Sequence, residues 1–255
     1  MCMIKDKKWR QMSQSVLRAI EIIALAASEP RSLGELADRF DVHRSTILRQ
    51  LQTIESTGFV LRQKDGRYTA GARLIETAQL ALEKLDLREV AHAELRKLHE
   101  KVGNTIHLAQ LVETSIVYVD KIEGSSGVRM YSRIGKTVPP YCTGVGKVIL
   151  AQLPTAQVDH ILSLVDWRSY TSRTITSRTV LDVELAMIRS NGWGVDDGEF
   201  EDFGNCIAVP VVNSTGTIFG AVSVTAMKMI KSVHALQKDL PEIMVTVKEI
   251  VRQLG

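Results

Sequence analysis

The glycine-rich stretch at residues 139–154, PPYCTGVGKVILAQLP, carries the most suggestive chemistry in the chain. Its GVGK at residues 144–147 is similar to the end of a phosphate-binding loop, which would make the protein a nucleotide-using enzyme. Such a loop needs a glycine five residues before Gly146 and a hydroxyl residue after its lysine. The chain has Tyr141 and Val148 at these two positions. We therefore expect the glycines to open a helix whose first N–H groups bind another small anion.

Two cysteines and one histidine are the side chains that could form a catalytic site. Cys142 or Cys206, with His107 as the base, would make a thiol nucleophile. No orienting third group and no known signature accompanies them, and a cysteine inside an apolar strand usually serves packing. We therefore expect no catalytic residues and no enzyme activity.

Metal-binding patterns are also missing from the sequence. The six histidines show neither an HExxH motif nor paired spacing, so zinc is not expected. The acidic run VDDGEFED at residues 195–202 lacks the ligand spacing of a calcium loop. The sequence thus predicts no bound metal and no cofactor.

The excess positive charge of the chain lies in its first quarter. Residues 1–70 contain 12 Lys and Arg against 8 Asp and Glu, whereas residues 71–255 contain 20 against 21. This asymmetry favours a small N-terminal module that meets a polyanion. Four residues before the first predicted helix would add a basic arm to it: Lys5, Lys7, Lys8 and Arg10.

Local patterns within residues 1–70 predict three helices and a hairpin. The first helix stops at Pro30, and the second begins with the capping-box sequence SLGE at residues 32–35. The third covers residues 43–58, and the Asp-Gly pair at residues 65–66 is a strong hairpin signal. Elements in this order make a winged helix-turn-helix, which we assign to residues 1–70.

The third helix carries the side chains that would read DNA. If Ile47, Leu51 and Ile54 point inward, polar residues point outward, where Arg can bind guanine and Gln can bind adenine. Basic residues beside the hairpin would meet the DNA backbone or the minor groove. A module that binds protein instead of DNA is the alternative. The predicted DNA-binding residues are Arg44, Ser45, Thr46, Leu48, Arg49, Gln52, Arg62, Lys64 and Arg67.

Residues 72–104 predict two successive helices between the N-terminal module and the rest of the chain. We assign residues 71–86 as a linker helix. Because a single winged helix rarely binds DNA tightly enough alone, we expect the linker to support a homodimer or tetramer that binds a pseudo-palindromic site.

Residues 87–255 predict an α+β domain. Neighbouring strands are joined by short turns without a βαβ rhythm, which indicates an antiparallel sheet flanked by helices. The predicted strands are residues 105–112, 115–123, 128–135, 205–213 and 217–228, and the predicted helices are residues 143–153, 178–192 and 233–254.

Several features of the sequence favour the cytoplasm. No apolar run approaches the roughly 18 residues that a membrane span needs, and the basic N-terminus lacks the apolar core of a signal peptide. The three cysteines fit no disulfide framework. We expect a cytoplasmic protein with no membrane partner.

Four stretches together resemble the IclR-type bacterial transcriptional regulators: RSTILRQLQTIESTGFV, YSRIGKTVPPYCTGVGKVILA, GWGVDDGEFEDFGNCIAVPV and GAVSVTA. The resemblance runs from about residue 13 to the C-terminus. It implies a GAF-like effector domain, dimers or dimers of dimers, and control of transcription by a small metabolite. RMYSRIG at residues 129–135 is similar to the subgroup that controls the breakdown of sugar acids and related carbohydrates.

The resemblance also implies where the effector binds. The pocket would form between the glycine-rich helix start, the acidic segment and the last two strands. Backbone N–H groups at a helix start suit a carboxylate, and the polar side chains suit hydroxyls. Lys147 is expected to point away from this pocket. The implied effector-binding residues are Gly144, Val145, Asp196, Glu199, Cys206, Ser223 and Thr225.

The chain departs from the family pattern at three positions. His43 stands where serine often begins the recognition helix, and we expect Asp41 to cap the helix in its place. Gly198 stands where the family usually has glutamate, and Phe203 where it has glycine. The last two border the implied pocket, so the identity of the effector does not carry over from relatives.

The sequence therefore predicts a cytoplasmic, homo-oligomeric, ligand-responsive transcriptional regulator, a repressor or an activator, of a sugar-acid or carbohydrate catabolic operon. Its expected partners are double-stranded operator DNA and a small effector, a carboxylate or sugar acid. The alternative is a metabolite-processing enzyme fused to a DNA-binding domain, which turnover of a bound metabolite would support.

Overall fold

The computed structural model describes residues 13–83, 86–125 and 132–254. Contacts within the chain divide it into two units, Met1–Lys84 and Leu85–Gly255. No helix within the described ranges is both long enough and apolar enough to cross a membrane.

Over residues 13–83, the first unit contains four helices and an antiparallel hairpin, which confirms the predicted winged helix-turn-helix. Its elements are α1 (Gln14–Ser28), α2 (Leu33–Phe40), α3 (Arg44–Ser56), β1 (Val60–Arg62), β2 (Tyr68–Ala70) and α4 (Ala72–Glu83). The core forms between α1, α2, α3 and the hairpin, with Ile22 of α1 and Ile47 and Leu51 of α3 fully buried. Helix α1 leaves Val16 and Ile20 more than half exposed.

Side chains cap the starts of both α2 and α3. The predicted capping box is present, because Ser32 Oγ accepts from the Glu35 N–H and Glu35 Oε2 accepts from the Ser32 N–H at 2.7 Å. The expectation that Asp41 caps α3 is wrong. Asp41 ends α2 in the left-handed conformation (φ 51°), and His43 Nδ1 caps α3 by accepting from the Ser45 N–H at 3.3 Å.

The second unit is a six-stranded antiparallel sheet with helices on both faces, as the predicted α+β class requires. The strands run in the order β5-β4-β3-β8-β7-β6. The elements are α5 (Asp86–Val102), β3 (Thr105–Val112), β4 (Ser115–Ile122), β5 (Thr137–Val138), α6 (Gly144–Gln152), α7 (Thr155–Ser163), α8 (Arg178–Asn191), β6 (Gly194–Asp196), β7 (Gly204–Val212), β8 (Ile218–Met227), α9 (Val233–Leu236) and α10 (Leu240–Leu254).

Strand alternation separates two apolar cores on the two faces of this sheet. Helices α5 and α10 cover one face, where the central strands present large residues such as Leu108, Val222 and Ile207. Helices α6, α7 and α8 cover the other face, where the same strands present Ala109, Ala221 and Ala208. The small side chains let α6 lie close to the sheet.

Two predicted elements differ from the structure. The strand predicted at residues 128–135 is not present at residues 132–135, which form loop and turn, and residues 128–131 lie outside the described ranges. The last helix is split into α9, a short 3-10 turn (Gln237–Asp239) and α10. Pro241 lies in the first turn of α10, where its missing N–H costs no helical hydrogen bond, so a new helix starts there.

Candidate functional site

The outer face of α3 holds the residues that the sequence predicts to contact DNA. Ile47, Leu51 and Ile54 are buried, as the predicted inward stripe requires. The side chains of Arg44, Ser45, Thr46, Leu48, Arg49 and Gln52 are exposed on the opposite face. Cations, hydroxyls and an amide on one helical surface form a set that suits a major groove.

The hairpin carries the remaining predicted DNA-binding residues. Arg62, Lys64 and Arg67 are all exposed there. Arg62 lies over the ring of Tyr68 at 5.9 Å, and Arg67 donates to the carbonyl of Pro30 at 3.4 Å. These contacts orient two guanidinium groups at the surface of the wing. The basic arm predicted at Lys5, Lys7, Lys8 and Arg10 lies outside the described residues.

In the second unit, strand register brings the predicted effector residues together on the face that α6 covers. Cys206 pairs with Thr225 on β8 and with Asp196 on β6, and Ser223 pairs with His107 on β3. These five residues line one pocket with Gly144 and Val145.

The start of α6 forms one end of the pocket. Thr143 caps the helix, since its Oγ1 accepts from the Gly146 N–H at 3.2 Å. Among the first N–H groups of the helix, those of Gly144 and Val145 thus remain for other acceptors. The Gly144 N–H is directed at the sulfur of Cys206. A Cβ on Gly144 would lie 2.6 Å from that sulfur, so only glycine allows this close packing.

The surroundings of the helix start raise the pKa values of Asp196 and Cys206. Removal from water raises the pKa of Asp196 to about 7, and the nearby Glu199 carboxylate adds to this effect. Burial likewise raises the pKa of the Cys206 thiol to about 12. Below pH 7 both groups are mostly neutral, and this end of the pocket can then accept an anion without strong repulsion.

Glu199 is the one implied effector residue that does not line the pocket. Its carboxylate pairs with the fully buried ammonium of Lys147 at 2.5 Å, and Glu184 pairs with the same ammonium at 3.1 Å. The buried charge of Lys147 needs these partners, so Glu199 is held away from the pocket. Lys147 itself is also absent from the pocket wall, in agreement with the expectation that it points away.

Gly198 stands where the family usually has glutamate, and its backbone conformation and surroundings explain this difference. Its φ is 77°, and a Cβ there would lie 2.0 Å from Lys228 Nζ. That ammonium donates to the Asp197 carbonyl at 3.0 Å. A glutamate at position 198 would therefore have to displace Lys228.

Sequence reasoning missed several polar residues of the pocket. His107 was considered only as a catalytic base, yet it lines the pocket with Tyr118, Ser132 and Asn205. Its Nε2 lies 2.6 Å from Ser132 Oγ and its Nδ1 lies 3.2 Å from Thr225 Oγ1. The only sequence signal was a histidine inside an otherwise apolar strand, two residues from Thr105. Within the described residues, no group of three or more His, Cys, Asp or Glu is placed to hold a metal ion.

A winged helix-turn-helix in one unit and a pocket lined by polar side chains in the other are the parts expected of a DNA-binding transcriptional regulator with its own sensor domain. The family described as Bacterial transcriptional regulator IclR C-terminal matches residues 79–254, and an HTH domain family matches residues 17–71. The chain belongs to the IclR family of bacterial transcriptional regulators.

Similar proteins support this assignment along nearly the whole chain. The HTH-type transcriptional regulator KdgR of Escherichia coli K12 is 36% identical over 244 residues, covering 94% of this chain and 92% of KdgR. The crystal structure of the Thermotoga maritima IclR has 32% identity and a TM-score of 0.78, covering 94% of this chain and 98% of that one. These relatives are transcriptional regulators and not enzymes, which confirms the expectation for this chain.

A third structure shares the fold at lower identity. It is an IclR homologue from Microbacterium hydrocarbonoxydans complexed with 4-hydroxybenzoate, with a TM-score of 0.80 and 20% identity. The match covers 94% of this chain and all of that one.

Proposed function

We propose that this protein regulates a sugar-acid or carbohydrate catabolic operon in the cytoplasm, and that a small carboxylate in the pocket of the second unit controls its binding to operator DNA. The observation that carries the proposal is the pocket itself. Helix-start N–H groups lie at one end, and hydroxyl and imidazole groups line the adjoining strands.

The chemistry of the α6 start supports a carboxylate as the effector. The Val145 N–H and the positive end of the helix dipole favour an anion, with the Gly144 N–H beside them. The ligand in the structure of the Microbacterium homologue, 4-hydroxybenzoate, is itself a hydroxylated carboxylate. Gly144, Val145, Asp196, Cys206, Ser223 and Thr225 are the residues that we assign to the effector, and Glu199 is no longer among them.

Two observations support a carbohydrate-related operon. The segment RMYSRIG resembles the subgroup that controls sugar-acid breakdown, and KdgR of E. coli is 36% identical along nearly the whole chain. Hydroxyl-bearing pocket residues such as Ser223 and Thr225 also suit a polyhydroxylated ligand.

On the DNA side, we propose that α3 enters the major groove and the wing contacts the backbone. Arg44, Arg49 and Gln52 are the candidates for base contacts, and Ser45, Thr46, Arg62, Lys64 and Arg67 are candidates for phosphate contacts. Leu48 is placed to touch a thymine methyl group. Each site residue is exposed, as these roles require.

A homodimer would supply the second half-site contact. The linker helix α4 leaves two apolar side chains exposed, Ile75 by 66% and Leu80 by 54%, and a partner subunit would cover them. Effector binding would then shift a two-state equilibrium that changes the spacing of the two winged helices.

A gel shift on the DNA upstream of the gene tests this proposal. We expect a retarded band at low salt that is lost or gained when one compound from a panel of sugar acids and other small carboxylates is added. A specific complex that responds to no compound of the panel would contradict the proposed effector class. A duplex affinity that does not change with salt would contradict the phosphate contacts.

A further inference from the structure

We propose that His107, Ser132 and Thr225 form a hydroxyl-recognition end of the effector pocket, opposite the α6 start, and that they select hydroxylated carboxylates over unsubstituted ones. The inference rests on the proposed function, since it assigns a second subsite to the same pocket. Its geometric basis is a continuous set of contacts from Ser132 Oγ through the imidazole to Thr225 Oγ1, at 2.6 and 3.2 Å.

The imidazole at the centre of this cluster is neutral. His107 is only 2% exposed, and burial lowers its pKa to about 3. The ammonium of Lys121, which donates to the Ser132 carbonyl at 2.9 Å, contributes to this shift. A neutral imidazole has one N–H donor and one acceptor nitrogen. His107 therefore cannot act as a cation that attracts the carboxylate, which favours the α6 start for that group.

The two hydroxyls make the cluster able both to donate and to accept. If Ser132 donates to Nε2, then the Nδ1–H donates to Thr225 Oγ1, and the Thr225 proton remains for a ligand. In the other tautomer, Thr225 donates to Nδ1, the Nε2–H donates to Ser132 Oγ, and the Ser132 proton remains. In both cases one hydroxyl offers a proton and the other offers lone pairs. A ligand hydroxyl needs both, whereas a carboxylate only accepts.

The strand order connects this cluster to the start of α6. Cys206 on β7 lies against Gly144, Thr225 is its register partner on β8, and His107 is on β3, the next strand. Neighbouring strands lie about 5 Å apart, so a ligand that binds at the helix start and extends across β8 reaches this cluster.

The wall around His107 restricts what else could bind there. The ring of Tyr118 lies 4.7 Å from the imidazole, and burial raises the pKa of the Tyr118 hydroxyl, so it stays protonated. The described wall at this end offers neutral polar groups beside an aromatic face, and the charged residues Lys136 and Glu201 line the same pocket. That combination suits a sugar-like segment with hydroxyls on one side and C–H groups on the other.

Calorimetric titration of the full chain with four six-carbon acids tests the inference. The probes are D-gluconate, D-glucuronate, D-galacturonate and hexanoate, which differ in hydroxyl content. At least one hydroxylated acid should bind the parent more tightly than hexanoate. Thr225→Val and His107→Phe should each lower the affinity for that acid by about tenfold, because a buried hydrogen bond is lost. The affinity for hexanoate should change by less than about threefold in both variants.

Two controls separate recognition from folding. His160→Phe, an exposed histidine on α7, should bind every probe as the parent does. Thermal unfolding followed by circular dichroism shows whether each variant folds. If His107→Phe does not fold, Thr225→Val alone is sufficient for the test, because valine nearly matches the shape of threonine.

Each of the other possible results of the titrations has its own interpretation. Unchanged affinity of the hydroxylated acid in both variants, or an equal loss for hexanoate, would overturn the hydroxyl-recognition role. Binding of hexanoate without any hydroxylated acid would overturn it while leaving the proposed carboxylate site intact. If none of the four acids binds the parent, the proposed effector class fails together with this inference.

Discussion

At the residue scale, helical periodicity made the DNA-facing side chains predictable, because the burial of Ile47, Leu51 and Ile54 decides which residues face outward. Contacts between residues that are far apart in the sequence could not be predicted in this way. Lys147 and Glu199 are 52 residues apart, and His107 and Thr225 are 118 apart. Only the folded sheet brings these pairs together, which is why Glu199 was wrongly placed in the pocket and His107 was left out.

Arg49→Ala should weaken binding to the protein's own operator by about 1–3 kcal/mol, because an exposed arginine on α3 is placed to contact a base or phosphate. Fluorescence anisotropy with a labelled operator duplex measures the change. Arg96→Ala, an equally exposed arginine on α5, is the matched control and should bind as the parent does. Parent-like operator binding by the Arg49 variant would show that the assigned α3 face is wrong.

The affinity for a carboxylate effector should fall as pH rises from 6 to 8. With a pKa of about 7, Asp196 is mostly neutral at pH 6 and mostly charged at pH 8, and its negative charge then repels the ligand. Glu199 favours the neutral form and Lys147 the charged form. Loss of one proton gives a slope of at most about tenfold per pH unit.

Calorimetric titrations at several pH values measure this slope. Asp196→Asn should bind the ligand with nearly constant affinity over the range, whereas Glu201→Gln, on the same pocket wall, should keep the parent's dependence. If the affinity of Asp196→Asn still falls with pH as in the parent, the proton that is lost belongs to another group.

At the element scale, the docking of α6 on β7 connects the fold to the site. The helix begins at the pocket because Thr143 caps it there, and it lies close to the sheet because Gly144, Ala208 and Ala221 are small. The sequence predicted this helix start from its glycines. It could not show the sulfur of Cys206 against Gly144, since that contact depends on where β7 lies.

Gly144→Ala should destabilise the second unit by about 1–3 kcal/mol, because the new methyl group would overlap the Cys206 sulfur. Cys206→Ala in the same chain removes the sulfur and should restore part of that loss. Urea unfolding of the parent, both single variants and the double variant gives the coupling free energy between the two positions. Additive effects of the two substitutions would mean that the two side chains do not collide.

At the scale of the whole molecule, composition and motif order predicted a winged helix-turn-helix followed by an α+β domain with an antiparallel sheet. The basic first quarter is the DNA-binding unit, and the short-turn pattern after residue 104 is the antiparallel sheet. The split of the last helix was not predicted, and residues 132–135 form loop and turn where a strand was expected, since apolar spacing alone does not reveal where a helix restarts or a strand is replaced by a loop.

Ile75→Glu combined with Leu80→Glu should weaken self-association and operator binding together, because charges would replace the exposed apolar surface of α4. Sedimentation velocity and operator affinity are the two readouts. Val183→Glu on α8, where the valine is 59% exposed, is the matched control and should leave the dimer intact. A dimer that survives the α4 changes would place the subunit contact elsewhere.

The central claim is that the effector pocket and the DNA-binding unit are energetically coupled, and reciprocal titration tests it most directly. Operator affinity is measured with and without the effector, and effector affinity with and without the operator. The account predicts that both affinities change by the same factor, of about 5 to 150 for a typical coupling. An effector that binds equally well to the free and the operator-bound protein would contradict it.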